Sequence, residues 1–280
     1  MSSAIRLASV NVNGIRAAVR NGMHGWLADA GVDILTLQEV RAAATDLAVA
    51  LPDWHVESDE SHTKGRSGVA IASRTAPVAV RRGLGDDTVD SAGRWIEADF
   101  DINGQIFCVV SAYVHSGTVD TPKQDAKWLF LDAMTQRLSE LAVERPLTVV
   151  TGDLNVGHRE LDIRNWKGNV KKAGFLPRER AYFDRFMGEF GAEVTCVDGS
   201  TGVGLGWVDI GRAHAGEVEG PYTWWSQRGQ AFDNDTGWRI DYHLATLALA
   251  ALASGCHAVR TAAYAGRTSD HAPVVVDYAL

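Results

Sequence analysis

The sequence predicts an α/β domain built on mixed, largely antiparallel β-sheet, and three observations carry that prediction. Residues 146–155, Pro-Leu-Thr-Val-Val-Thr-Gly-Asp-Leu-Asn, form a short β-branched run bounded by Pro146 and Gly152, the pattern of a buried strand that delivers Asp153 and Asn155 to a loop. Strand-like runs follow one another between residues 54 and 114 with no helix between them, which requires hairpins. Helical spacing appears on either side of that stretch. At 280 residues and 46% hydrophobic content, a single domain over 1–280 can bury a sizeable core.

Taken in order, residues 5–10 read as a strand that runs into the polar turn Asn11-Val12-Asn13-Gly14. Apolar residues at helical spacing then predict one amphipathic helix over 15–30, and 32–37 a second buried strand ending at Gln38 and Glu39. Strands are expected at 54–57, 68–73, 78–82, 95–100 and 105–114, the last closing on Tyr113-Val114-His115-Ser116. Gly65-Arg66-Ser67-Gly68 lacks the ending of a phosphate-binding P-loop and reads as a hairpin turn with a phosphate contact open to it. Thr121-Pro122-Lys123-Gln124 marks a helix start, with Thr121 as cap and Trp128, Leu131, Thr135, Leu138 and Leu141 as the inner stripe.

Beyond the 146–155 strand, residues 158–180 carry seven basic against three acidic side chains, a local +4. With Asn165, Asn169 and two glycines interspersed, the segment reads as a long ordered loop; a solvated charge run and a functional loop are both consistent with it. A helix at 177–190 and a strand at 192–197 follow, and the Gly-rich stretch 200–220 resists assignment. Polar strand ends recur at Trp224-Trp225, at Trp238-Arg239-Ile240-Asp241-Tyr242 and at Ser269-Asp270-His271, ahead of a closing strand at 274–278.

A net charge of −8 and a pI near 5.6 argue against coating nucleic acid by bulk charge, so an anionic ligand must meet a local basic patch or a metal. Cys108, Cys196 and Cys256 are odd in number and widely spaced, as expected of reduced core residues in a cytoplasmic protein. The N-terminal residues show no signal-peptide pattern, and the apolar stretch 244–253 is too short to span a bilayer.

Together the strand ends offer Asn11, Asn13, Glu39, Tyr113, Asp153, Asn155, Asp241, Asp270 and His271. Oxygen donors with a single His suit Mg²⁺ or Mn²⁺ and not structural zinc. A carboxylate and a carboxamide two residues apart can bind and orient water, although Gly-Asp-x-Asn is also ordinary turn chemistry. His271, with Asp270 beside it and Asp241 as a distant partner, can stabilise or protonate a phosphoryl oxygen. Tyr113 can donate its phenol to phosphate, and Trp224, Trp225 and Trp238 serve either as core or as stacking surfaces.

The order Asn-Val-Asn-Gly, Leu-Gln-Glu, Gly-Arg-Ser-Gly-Val, Tyr113, Gly-Asp-Leu-Asn, Gly-Trp-Arg-Ile-Asp-Tyr and Ser-Asp-His-Ala-Pro resembles the exonuclease III family of AP endonucleases over residues 5–280. The resemblance implies a four-layer sandwich of the DNase I type, two sheets face to face with helices outside. It implies Glu39 as direct metal ligand, with Asn11, Asn13 and Asp270 in or near the metal shell. Asp153 and Asn155 would activate and position water, while His271, supported by Asp241, and Tyr113 contact the scissile phosphate. Trp224, Trp238 and Ile240 match the pocket for a flipped-out abasic sugar, and Arg66, Arg94, Asn165, Asn169, Lys171 and Lys172 are the implied DNA-backbone contacts.

The implied activity is that of a Mg²⁺-dependent DNA repair nuclease, with Mn²⁺ as a substitute. It incises double-stranded DNA 5′ to abasic sites and has 3′-5′ exonuclease and 3′-phosphodiesterase action in the same site. The expected protein is a cytoplasmic monomer, nucleoid-associated when bound to DNA. Two departures bear on efficiency: Asn13 replaces the Asp of some members, and Val114-His115-Ser116 replaces a Pro followed by Asn or Gln. Rival readings are the same chemistry on a small or lipid phosphoester, and a DNA-binding module without turnover.

Overall fold

Apolar residues alternate along the strands of the computed structural model, which describes residues 4–280, and that alternation sorts the chain into layers. Met1 to Ser3, on which the signal-peptide reading partly rests, lie outside the described residues. The first half supplies β1 (Ala4–Asn11), β2 (Ile34–Gln38), β3 (His55–Asp59), β4 (Val69–Ser73), β5 (Ala79–Arg82), β6 (Trp95–Ile102) and β7 (Gln105–Tyr113). The second half supplies β8 (Thr148–Asp153), β9 (Glu193–Thr195), β10 (Thr201–Val203), β11 (Trp207–Asp209) and β12 (Trp224–Trp225), then β13 (Gly237–Trp238), β14 (Asp241–Thr246), β15 (Ala253–Ala258) and β16 (Val274–Ala279). One six-stranded sheet has the order β15-β16-β1-β2-β4-β3 and the other β11-β14-β8-β7-β6-β5, while β9–β10 and β12–β13 are short separate pairs.

Leu7, Ile34, Val69 and Ile71 of the first sheet meet Val109, Val149 and Ala245 of the second in a core between them. The alternate residues Ala8, Val10, Leu35, Leu37, Ala70 and Ala72 face outward against the helices Ile15–Arg20, Met23–Ala30 and Ala44–Ala50. Val110 and Val150 of the second sheet face the helices Pro122–Glu144 and Pro177–Met187. The result is the four-layer sandwich, each fully buried large aliphatic adding roughly 1.5–3 kcal/mol.

The inter-sheet face changes character along its strands. On β1 it passes from Leu7 to Ser9 to Asn11, on β2 from Ile34 to Thr36 to Gln38, on β7 from Val109 to Ser111 to Tyr113, and on β8 from Val149 to Thr151 to Asp153. The middle residues bridge the sheets: the Thr36 and Thr151 hydroxyls lie 2.7 Å apart, and Gln38 Nε2 donates to Ser111 Oγ at 3.0 Å. β1–β2 and β7–β8 are both parallel pairs, so their C-terminal ends carry polar groups to one edge of the sandwich.

Several elements depart from expectation. The helix expected over 15–30 is two, because Gly22 adopts φ 96° and breaks it after Asn21. Thr121 does not cap with its side chain; its hydroxyl donates to the Thr118 carbonyl at 2.8 Å, and Gln124 donates to the buried Glu179 at 3.1 Å. The inner stripe of that helix is accordingly rotated, with Lys127, Phe130 and Met134 buried and Trp128 and Thr135 only half-buried. The next helix stops at Met187, short of 190, and the strand after it spans only Glu193–Thr195. The unassigned 200–220 stretch holds β10, β11 and the helix Ile210–Ala215, strands too short to leave a periodic signal. Cys108 and Cys196 are buried, but Cys256, on β15 near the sheet edge, is half-buried. Among the described residues no helix is long and apolar enough to cross a membrane.

Candidate active site

Where the two sheets meet at their polar edge, side chains from both converge. The first sheet brings Asn11 and Asn13 from the end of β1 and the turn after it, Glu39 after β2, and Asp270 and His271 ahead of β16. The second brings Tyr113 from β7, Asp153 and Asn155 from β8 and beyond, and Asp241 from the start of β14, where it pairs in register with Asp153. Gly152 precedes Asp153 because nothing larger fits: with φ 134°, an added Cβ would lie 2.0 Å from the Ala112 carbonyl of neighbouring β7.

At this edge Asn11 and His271 join the halves. Asn11 Nδ2 donates to Asp153 Oδ2 at 2.9 Å, and His271 Nδ1 lies 2.9 Å from Asp241 Oδ2, with His271 Nε2 3.8 Å from Asp153 Oδ2. Asn155 donates from its backbone to Asp153 Oδ1 at 3.0 Å and from its amide to Asp153 Oδ2 at 3.1 Å. On the first-sheet side, Asn13 Nδ2 donates to Asp270 Oδ1 at 2.9 Å and Trp224 Nε1 to Asp270 Oδ2 at 3.3 Å.

Asn13, Glu39, Tyr113, Asp153, Asn155, Asp270 and His271 line a cleft of about 400 Å³ whose walls include Trp224, Trp238 and Ile240. Asn11 and Asp241 are buried against it and act through Asp153 and His271. Trp225 is not in the cleft but packs with Tyr222, Phe232 and Ala272 in a small core of its own. Of the basic and amide residues expected on DNA, none lines the cleft. Arg66 is exposed at the β3–β4 hairpin, and Asn165, Lys171 and Lys172 are exposed on the 158–180 loop, where Asn169 donates to the Asn165 carbonyl. Arg94 is folded inward, donating to the Tyr113 carbonyl at 3.0 Å with its guanidinium 4.4 Å from the Tyr113 ring centre.

The 158–180 segment is ordered by two 3₁₀ turns and by buried anchors, chiefly Asp162, which accepts from Arg239 at 2.7 Å and Arg212 at 2.5 Å. Its excess charge is smaller than the sequence suggests, because Arg159 and Arg164 pair with Glu217 and Glu219 from the Gly-rich stretch. Sequence reasoning also missed Arg41, which lines the cleft and pairs with Glu39; its position two residues after Glu39 was the available signal. Of the two departures after Tyr113, Ser116 lines the cleft, whereas His115 packs edge-on against Phe130 and is pushed by burial to a pKa of about 3.

Backbone strain concentrates here: Asn13, Glu39, Arg41 and Asn155 all have φ between 46° and 54°. Asn tolerates that region, while Glu and Arg must be held there by their surroundings.

Burial disfavours charge on His271, but the Asp241, Asp153 and Asp270 carboxylates outweigh it and raise the imidazole well above its ordinary value. Burial raises the Asp153 carboxyl, with Asp241 adding to the rise and His271 opposing it. Burial, then Glu39 and Asp153, hold the Tyr113 phenol far above its usual range, leaving it a hydrogen-bond donor. The cleft therefore presents an acceptor at Asp153 beside donors at Tyr113 and a charged His271. Asp153, Asp241 and His271 offer ligand atoms within 4.8 Å of one another, but they could hold a metal ion together only with the imidazole neutral and ligating through Nε2, because a charged His271 has no free lone pair. Glu39, Asn13 and Asp270 in the same cleft add hard oxygen donors, a set that fits Mg²⁺ or Mn²⁺.

The sequence pattern of the endonuclease/exonuclease/phosphatase family matches residues 8–271. The chain is 32% identical over 246 residues to an exodeoxyribonuclease of Bacillus subtilis (strain 168), covering 88% of this chain and 89% of that protein. It is 31% identical over 285 residues to the DNA repair nuclease APEX1 of Danio rerio, covering 99% and 83% respectively. Its fold is similar to that of an AP endonuclease from Archaeoglobus fulgidus, with a TM-score of 0.80, 27% identity, and 99% of this chain and 100% of that one aligned.

Proposed function

The chain belongs to the endonuclease/exonuclease/phosphatase family and is a hydrolytic nuclease, and from that premise we propose that it repairs DNA by cutting the backbone directly 5′ to abasic sites. A 3′-5′ exonuclease and 3′-phosphodiesterase action would use the same cleft. The observation that carries the reading is the juxtaposition of the Asp153–Asn155–His271 group with the Trp224, Trp238 and Ile240 wall in a single cleft. A phosphate alone needs no such wall, and a sugar stripped of its base is inexpensive to extrude into it.

Asp153, close to a proton-accepting value and oriented by Asn11 and Asn155, takes the proton of the attacking water. His271, charged and pinned by Asp241, and the Tyr113 phenol donate to the phosphoryl oxygens as charge builds on them. Glu39 and Asp270, with Asn13, would hold Mg²⁺, which supplies charge neutralisation at the phosphate. Exposed Lys171 and Lys172, with Arg66, would meet the flanking backbone.

The test is cleavage of an end-labelled duplex carrying one abasic analogue, with Mg²⁺ and with chelator, beside Asp153→Asn. Metal-dependent incision 5′ to the lesion, reduced at least roughly 10²-fold in the variant, is expected. Stepwise shortening from the 3′ end alone would make the protein an exonuclease, and no cleavage of either kind would point to a small phosphoester.

A further inference from the structure

Beside the catalytic cleft lies a second cavity of about 320 Å³ that shares Asn13 and Asp270 with it. Its other walls include Asn21, Gln227, Thr268 and Arg267. Arg267 precedes the Ser269-Asp270-His271 turn, and its guanidinium carbon sits 4.0 Å from the Tyr264 ring centre and 4.7 Å from that of Phe232. Its Nε and Nη1 are buried with no hydrogen-bond partner. Neighbouring Arg260 packs on the same Phe232 but is satisfied, donating to the Phe232 carbonyl at 2.7 Å and lying 3.7 Å from Asp235. Nor is Arg267 occupied in steadying Asp270, whose carboxylate is held by Asn13, Trp224 and Ser269.

A buried polar hydrogen without an acceptor is costly, and a guanidinium fixed by two rings has little freedom to find one elsewhere. We propose that Arg267 and the cavity it borders form a binding site for a DNA backbone phosphate next to the scissile one. Asn21, Gln227 and Thr268 supply neutral donors around the anion. The aromatic packing presets the fork so that little side-chain freedom is lost on binding. The location suits a further cation: Arg41 is spent on Glu39 and His271 faces Asp241 and Asp153, so Asp270, which borders both cavities, would repel a second phosphate unless Arg267 met it.

This assignment rests on the DNA reading above, and the experiment separates the two. Binding of a fluorescent duplex with one abasic analogue is measured in chelator across a salt series for wild type, Arg267→Gln and Arg267→Lys. Removing one phosphate contact lowers the slope of log affinity against log salt by about 0.9 and weakens binding roughly tenfold, with Lys restoring the slope but not the full affinity. In steady-state cleavage the Gln variant's loss falls on KM more than on kcat. Wild-type binding with an unchanged slope in Arg267→Gln overturns the assignment. So does a loss confined to kcat, which would make Arg267 a positioning residue for the Asp270–His271 turn. Should Arg267→Gln fail to fold, Arg267→Lys with lowered affinity and a wild-type slope supports the assignment, and Lys at wild-type affinity overturns the need for a fork. A wild-type protein that does not bind the duplex at all overturns the DNA reading itself, and this site with it.

Discussion

Replacing Lys127 with methionine should cost about 3 kcal/mol of stability and disturb the active site from behind. Lys127 and Glu179 are both fully buried, with Nζ 2.7 Å from Oε1. Nζ also donates to the carbonyl of Asn155 at 2.9 Å and to that of Ser116 at 3.4 Å, two residues of the cleft wall. Breaking such a pair strands the remaining charge, for which losses of about 3–5 kcal/mol are typical. Glu179 keeps two other donors, Gln124 Nε2 at 3.1 Å and the Leu176 backbone at 3.0 Å, which places the effect at the lower end. Adding Glu179→Gln to Lys127→Met removes the stranded charge and should recover at least half the loss. Urea unfolding followed by circular dichroism measures both. A single variant within about 1 kcal/mol of wild type, or a double variant no more stable than the single, would refute the reasoning. Because Asn155 loses the donor on its carbonyl, kcat for abasic-site cleavage should fall roughly tenfold in Lys127→Met even where the protein is fully folded.

Asp162 gives a pH signature. Its carboxyl is buried, which alone would raise it, but Arg239, the Arg159 backbone and Arg212 hold it down to about 2. A depressed carboxyl adds stability above its unfolded value near 4 that is lost as pH falls towards 2, about 2 kcal/mol in all. Asp162→Asn should flatten the wild-type stability curve over that window, and urea midpoints at successive pH values that run parallel in the two proteins would contradict this. Gly152→Ala drives a methyl into the Ala112 carbonyl at 2.0 Å and should destabilise by about 3 kcal/mol or more; a variant that melts with wild type refutes the clash. Trp238→Ala should raise KM roughly tenfold on abasic duplex while sparing 3′-end shortening, and equal losses on both substrates would remove Trp238 from the lesion wall.

Much of the site was readable before the structure, for a reason visible in the strands. A period of two places every second residue on the inter-sheet face, so strands that end in Asn11, Gln38, Tyr113 and Asp153 announce where the polar edge lies. Helical and strand positions came within a few residues for most of the longer elements, but the helices Ala44–Ala50 and Ile210–Ala215 and the strand Ala253–Ala258 went unread, their Ala- and Gly-rich runs giving no clear period. The failures are contacts between distant parts of the chain. Nothing local reveals that Arg159 meets Glu217, 58 residues on, or that Lys127 is buried against Glu179 instead of facing water. Arg94 has the appearance of a free cation in sequence and proves to be folded onto Tyr113. That Asn11, expected in or near the metal shell, lies beneath the cleft with its amide donated to Asp153 was likewise not legible from β1 alone.

The seam between the sheets has a consequence for when activity can exist. Asn11, Asn13 and Glu39 emerge first in synthesis and wait on a half-built sheet, since β1 is flanked by β2 on one side and by β16 on the other. Asp270 and His271 stand just ahead of β16. The Asp241–His271 link depends on the pairing of β16 with β1, which carries His271 to the seam, whereas Asn11 and Asp153 belong to strands made earlier. Cleavage in the proposed cleft is in this way contingent on that pairing, and a fragment cut ahead of Asp270 would keep the exposed, basic 158–180 loop but lose the imidazole that Asp241 holds.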